Sequence, residues 1–322
     1  MAPPIRWGII GTANIARASF LPGLRAAGGE AWAVAGRERA RTEAYARENG
    51  IEHAVVGYDA LIEDRAVDAV YVALPNSLHK EWTIRALLAG KPVLCEKPLG
   101  LTAAETMEMT EAAARSGAPL WEAFVFMFRP HFAKMREWIA GGALGQITEI
   151  DSHFSFRIRS TANIRLQPEL GGGALYDVGC YPIHLATLLF SSAAASAAVV
   201  TARHPGGVDE TVAGAVVFPA GRLLFSASLS GAPDTFTRIT GTEGAITISN
   251  PFHPSDRDTL TLTRGGETTS LSAGDGRPSF AAHLEHVARV VRGEEAPRWT
   301  AAETSAATAA SIDLIRSTAG IS

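Results

Sequence analysis

The first half of the chain alternates short apolar runs with stretches of helical periodicity. Residues 5–10 are an apolar run, residues 11–16 read Gly-Thr-Ala-Asn-Ile-Ala, and a helical pattern then lasts to about residue 27. Further strand-like runs fall at 31–35, 54–56, 68–74, 92–99 and 119–124, with helical stretches at 38–49, 59–63, up to 89, and 102–116. Repeated strand-helix units of this length predict a parallel, doubly wound sheet with right-handed crossovers.

After about residue 128 the pattern changes. A helix is predicted over 127–140, then strands at 147–157, 197–203, 211–218, 222–230, 236–240, 245–249 and 259–263, separated by Gly-containing turns as in an antiparallel sheet. Residues 183–200 carry no formal charge, but His184, Thr187, Ser191, Ser192 and Ser196 break them into helix, loop and strand, not a membrane span. Residues 280–292 and 302–317 read as amphipathic helices. The fold class expected is therefore α/β: a Rossmann dinucleotide-binding domain over 1–124, and a substrate-binding and oligomerisation domain with a mostly antiparallel sheet over 125–322. A sheet with one helix-covered face leaves the other to be buried. A homodimer or homotetramer through that face is the economical expectation.

Composition narrows the function. With 322 residues, 47% hydrophobic, 19% charged and a net charge of -4, the chain is globular and has no global field to recruit nucleic acid or an anionic membrane. A small-molecule substrate is expected. The first residues run straight into a strand without the order of a signal peptide, and the two cysteines, Cys95 and Cys180, fit a reducing, cytoplasmic setting. Of 29 Lys and Arg only four are lysines, Lys80, Lys91, Lys97 and Lys134. Lys97 ends an apolar run in Glu96-Lys97-Pro98, where a buried strand delivers one amine to the carboxyl edge of the sheet. An ammonium is a compact donor whose pKa can be pulled toward neutrality; a guanidinium is not.

The first turn, Gly11-Thr12-Ala13-Asn14-Ile15-Ala16, stands where a dinucleotide pyrophosphate meets a helix N-terminus, with Ala13 in place of the middle glycine. About 20 residues on, where an acid would hold the ribose of NAD, stand Gly36 and Arg37. The missing carboxylate and the Arg fork favour NADP(H) over NAD(H). Leu74, Asn76 and His79 leave the carboxyl edge beside that cofactor and are expected to contact it, as are Glu96 and Lys97. In the second half, three glycines at 171–173 precede a helix in which Asp177, Tyr181 and His184 lie at i, i+4 and i+7, on one face. Arg165, ahead of the glycines, is a candidate for a polar substrate.

The order of Gly-rich turn, Leu74-Pro75-Asn76-x-x-His79 loop and Glu96-Lys97-Pro98 strand end resembles the Gfo/Idh/MocA family of nicotinamide oxidoreductases along essentially the whole chain. The resemblance implies that the second catalytic group follows the helix Asp by four residues, which here is Tyr181. Tyr at that place is similar to the branch of dihydrodiol dehydrogenase, NADP-dependent xylose dehydrogenase and glucose-fructose oxidoreductase; deoxysugar 3-ketoreductases share it. A free phenol titrates near ~10, and a neighbouring ammonium favours the phenolate. Tyr181 and Lys97 are thus the expected acid/base pair, with Asp177 orienting Lys97 or the substrate and His184 on the substrate side or packing behind it. The substrate expected is an aldose oxidised to its lactone or a trans-dihydrodiol. Keto-sugar reduction by the same residues, or a non-catalytic NADP(H) sensor, are the competing readings. A short-chain dehydrogenase is excluded, because none of the tyrosines at 45, 58, 71, 176 and 181 has a lysine four residues on.

Overall fold

The computed structural model describes residues 3–321. The chain forms two compact units: the first takes in residues up to Gly100, Ala104–Val125 and Arg277–Glu303, the second Leu101–Ala103, Phe126–Gly276 and residues from Thr304 on.

The first unit is built on six parallel strands, β1 (Arg6–Ile10), β2 (Glu30–Gly36), β3 (His53–Val56), β4 (Ala69–Val72), β5 (Val93–Cys95) and β6 (Leu120–Glu122), in the order β3-β2-β1-β4-β5-β6. This is the doubly wound order, whose direction reverses between β1 and β4, so the ligand crevice of such a sheet lies at their carboxyl ends. Helices α1 (Leu21–Ala26), α2 (Arg39–Asn49), α3 (Tyr58–Ile62), α4 (His79–Leu88) and α5 (Ala103–Ser116) link successive strands. Strand alternation supplies two cores. Val70 and Val72 join Ile10, Val93, Cys95, Leu87 and Met109 on one face. Tyr71 turns to the other, where Phe20 stacks on it at 3.9 Å. Phe280, at the start of α8 (Ala281–Val291), packs edge-on against Phe20 at 5.8 Å and Tyr71 at 5.9 Å. Burying those rings is why this late helix belongs with the first unit.

One side chain fixes the loops at the carboxyl edge. His79 is fully buried, with Nδ1 2.9 Å from the Pro98 carbonyl and Nε2 2.9 Å from the Leu74 carbonyl, so it ties the segment after β4 to the segment after β5. Burial pushes the imidazole below its ordinary value, the two carbonyls oppose the shift, and the charge of Lys97 adds to it.

The second unit holds an eight-stranded sheet. Its strands are β7 (Ile147–Arg157), β8 (Ser196–Arg203), β9 (Asp209–Phe218), β10 (Gly221–Ser228), β11 (Ser230–Gly241), β12 (Gly244–Ile248), β13 (Thr259–Arg264) and β14 (Glu267–Ser272), ordered β14-β13-β12-β11-β7-β10-β9-β8. Among the described residues of this sheet β7 and β10 pair in parallel and the other pairs are antiparallel. Helix α6 (Pro130–Ala140) precedes the sheet, α7 (Cys180–Phe190) packs on β7 and β10, and α9 (Ala301–Ala319) ends the chain. Strand β14 was not expected: all six of its residues are exposed, so its sequence has no apolar alternation to read. No helix among the described residues is long and apolar enough to cross a membrane, and residues 183–200 are the end of α7, a loop and β8.

Replacing His79 with Leu removes the one N–H that the neutral ring donates to a buried carbonyl, worth about 1–3 kcal/mol. A fall of about 1–3 kcal/mol in the urea unfolding free energy is expected; an unchanged midpoint would mean that water replaces the ring. A second expectation concerns acid. Burial lowers His131 to about 4 and His184 to about 3, from 6.5. Such groups stay neutral in the folded chain while the unfolded chain takes up protons, so their contribution is whole above pH 6.5 and is lost as pH falls toward 4 and 3. His184 alone should cost about 2 kcal/mol at pH 5. Unfolding midpoints measured between pH 8 and pH 5 check this, and the slope should flatten in His184→Gln.

Candidate active site

At the end of β1 the backbone turns through Gly11, whose φ is +103° and whose amide donates to the Ala35 carbonyl at 2.9 Å. A Cβ there would lie 2.5 Å from the Ala73 carbonyl oxygen and 3.1 Å from Leu74 Cδ2, so three strand ends meet with no room for a side chain. Tyr45 donates to the Ala13 carbonyl at 2.9 Å from beneath, and burial pushes its phenol up to about 12. Asn14 accepts from Arg17 at 2.7 Å, and Ile15 is left 38% exposed. A π turn, Ala16–Phe20, follows and runs into α1. The opening amides of such a turn have no intrahelical acceptor. A pyrophosphate would fit this cradle, with Ala13 half-buried at the approach. At the end of β2, Gly36 is followed by Arg37, which is exposed.

Lys97 follows β5 on backbone secured at each neighbouring residue. The Glu96 amide donates to the Val72 carbonyl at 3.0 Å, the Pro98 carbonyl takes His79, and the Leu99 amide donates to Glu122 Oε1 at 2.8 Å. Glu122 is 2% exposed and has a structural task that the sequence reading missed. The Glu96 carboxylate accepts from the Tyr71 hydroxyl at 2.5 Å, and burial together with that carboxylate raises the Tyr71 phenol well above its ordinary value. Glu96 is thus fixed from within the sheet. His79, read as a cofactor contact, has no exposed surface, so it positions the loops and does not touch a ligand. Asn76 opens a one-turn helix, Asn76–Leu78, in the loop that His79 anchors.

In the second unit the glycine run explains the placing of Arg165. The Gly173 amide donates to the Arg165 carbonyl at 2.9 Å, and Gly173 has a φ of +115°. A Cβ on Gly173 would lie 2.1 Å from Asp209 Oδ1. Asp209, 1% exposed, accepts from the Leu175 amide at 2.7 Å, and burial raises its carboxyl to about 6. The close approach lays the Arg165 segment against the helix start, and Arg165 Nε meets Asp177 Oδ2 at 2.6 Å.

Asp177 sits in a second π turn, Leu175–Gly179, before α7. Tyr181 and His184 lie one turn apart in α7 and both rings pack against Phe126. Asp177 pairs with Arg165. Tyr181, 5% exposed, stands among Phe126, Phe154 and Phe252, with ring centroids at 6.4, 5.5 and 5.0 Å. Its hydroxyl lies 3.4 Å from His253 Nε2. His184 is fully buried, with Nδ1 2.9 Å from Thr308 Oγ1 and Nε2 3.3 Å from Met127 Sδ. It is a packing residue, and its assignment to the substrate side is corrected. Phe252 and His253 were missed; the signal was Pro251-Phe252-His253-Pro254, a proline-flanked aromatic pair between two strands.

Comparison with known proteins follows the same two-part division. Residues 5–124 match the family described as oxidoreductase, NAD-binding Rossmann fold, and residues 132–247 match the GFO/IDH/MocA C-terminal domain. The chain is 36% identical to D-xylose 1-dehydrogenase (NADP(+)) 2 of Haloferax volcanii, over 91% of this chain and 90% of that one. It is 32% identical to trans-1,2-dihydrobenzene-1,2-diol dehydrogenase of Xenopus laevis over 76% and 74% of the two chains. Among solved structures, a 3-ketoreductase from Actinomadura kijaniata in complex with NADP and TDP-benzene superposes with a TM-score of 0.87 at 30% identity, covering 98% of both chains. The strand order, the glycine turn, the Glu96-Lys97-Pro98 strand end and these matches together show that the chain belongs to the Gfo/Idh/MocA family of oxidoreductases.

Proposed function

We propose that the protein is an NADP(H)-dependent oxidoreductase that oxidises a sugar or cyclic diol, aldose to lactone or trans-dihydrodiol to the catechol level. The observation that carries this reading is Tyr181: a phenol in a three-ring aromatic wall with its hydroxyl beside an imidazole. Aromatic faces suit the C–H faces of a ring substrate, and a phenol moves the proton of its hydroxyl. Lys97 supplies the ammonium that favours the phenolate and steadies the developing alkoxide. Asp177, paired with Arg165, holds that guanidinium toward the polar groups of the substrate. When bound, the nicotinamide supplies the hydride acceptor or donor.

Gly11, Thr12, Ala13, Asn14 and Ile15 would hold the pyrophosphate, with Leu74, Asn76 and Glu96 lining the nicotinamide side. The exposed Arg37 and the absence of an acid at the end of β2 support the phosphorylated cofactor, as do the names of the relatives. Reduction of a keto-sugar uses the same residues in reverse, and the likeness to a 3-ketoreductase keeps that direction as the second reading. The free thiols of Cys95 and Cys180, both buried, agree with a cytoplasmic setting. Val200, 73% exposed on β8, and Val217, 45% exposed on β9, support a homodimer or homotetramer through the second unit's sheet.

Initial rates of NADP⁺ and NAD⁺ reduction with D-xylose, D-glucose, myo-inositol and trans-1,2-cyclohexanediol test the proposal. Turnover with NADP⁺ is expected for at least one aldose or diol, and activity confined to NAD⁺ would overturn the cofactor assignment. NADPH consumed by a keto-sugar alone would make the protein a reductase; NADPH bound without turnover would make it a sensor. Lys97→Ala should lower kcat by roughly 10³-fold or more while NADPH still binds. Arg37→Asp should weaken NADP⁺ by about 10- to 100-fold and spare NAD⁺.

A further inference from the structure

The loop between β12 and β13 brings a second polar ring to Tyr181. His253 Nε2 lies 3.4 Å from the Tyr181 hydroxyl, with ring centroids 5.3 Å apart at 69°. That separation is at the outer limit of a hydrogen bond, as acid–base pairs often show before substrate binds. Tyr181 is 5% exposed, whereas His253 is exposed. The imidazole therefore spans from an almost enclosed phenol to solvent.

The loop is built to hold that ring. Asn250 accepts from the His253 amide at 3.1 Å and donates to the His253 carbonyl at 2.8 Å, gripping the residue on both sides. Phe252, 1% exposed, anchors it between Phe126 at 5.4 Å and Phe154 at 5.9 Å. On one flank His131 Nε2 lies 2.8 Å from the Pro251 carbonyl. On the other, Arg129 donates to the Pro254 carbonyl at 3.4 Å and is itself paired with Asp275 at 2.8 Å. A surface histidine of no consequence needs none of this order.

We infer that His253 acts through Tyr181, carrying the hydroxyl proton between the phenol oxygen and solvent. The inference rests on the acid–base role proposed above for Tyr181. In the oxidative direction the Oη–H bond of Tyr181, formed with the substrate proton, breaks, and an Nε2–H bond forms on His253. The imidazolium then gives one proton to water and the phenolate is restored. No electrons move in this step, and no co-reactant is needed beyond water. In reduction the proton travels the other way.

The test compares the unaltered protein with His253→Ala and His253→Gln. In both variants kcat should fall by about 10- to 100-fold, less than for loss of a primary acid or base, with KM within roughly a factor of two. Added imidazole should restore several-fold of the loss in His253→Ala and leave the unaltered protein unchanged. Full activity in either variant, or a loss that imidazole does not mend, overturns the relay. A readout without turnover is the histidine ring ¹⁵N spectrum of the ligand-free protein. Tyr181→Phe keeps the ring and removes only the hydroxyl, so the His253 Nε2 resonance should move; an unmoved resonance counts against the inference. If the unaltered protein turns over nothing, the proposed function fails and the relay with it. Normal turnover in His253→Ala removes the relay alone.

Discussion

The imidazole of His79, shut away from water between the carbonyls of Leu74 and Pro98, sets the spacing of the loops that end β4 and β5. A neutral imidazole has a single N–H, so it fully satisfies only one carbonyl at a time, while burial and the charge of Lys97 hold it in that form. The ring is therefore a rigid spacer whose chemistry is suppressed. Lys97 benefits. Its flanking residues are tied to β4 through Val72, to the loop after β4 through His79, and to β6 through Glu122. The role proposed above for this amine asks for that kind of fixed backbone.

The second unit solves the same problem with different parts. Close backbone approach at Gly173, the buried Asp209 carboxylate and the Arg165 pair fix where the chain enters α7. In both units a π turn comes within a few residues of a glycine-dependent bend, Ala16–Phe20 after Gly11 and Leu175–Gly179 after Gly173.

Much of this was legible in the sequence. Apolar runs at the right spacing predict all six strands of the parallel sheet, and the Gly-rich turn and Glu96-Lys97-Pro98 mark its carboxyl edge. What stayed hidden depends on departures from regular period or on contacts distant along the chain. The i, i+4, i+7 spacing names residues that share a face but not their partners, so it could not foresee Arg165 beside Asp177 or Thr308 beside His184. His79 carries the residue type of a ligand contact, and only its burial reveals a structural task. The Tyr71–Glu96 and His253–Tyr181 contacts join residues 25 and 72 positions apart, a separation over which no local pattern speaks.

The membership of α8 in the first unit has a consequence for how the protein is made. Its parallel sheet is complete by Glu122, yet Phe280, which closes over Phe20 and Tyr71, is synthesised more than 150 residues later. Trp121 likewise donates at 3.1 Å to the carbonyl of Arg298. A nascent chain on the ribosome therefore holds a finished sheet with part of an aromatic face uncovered for as long as residues 126–276 of the second unit take to emerge. The unit whose sheet is translated first thus waits for a late helix, and that interval is when the young chain is most open to chaperone capture.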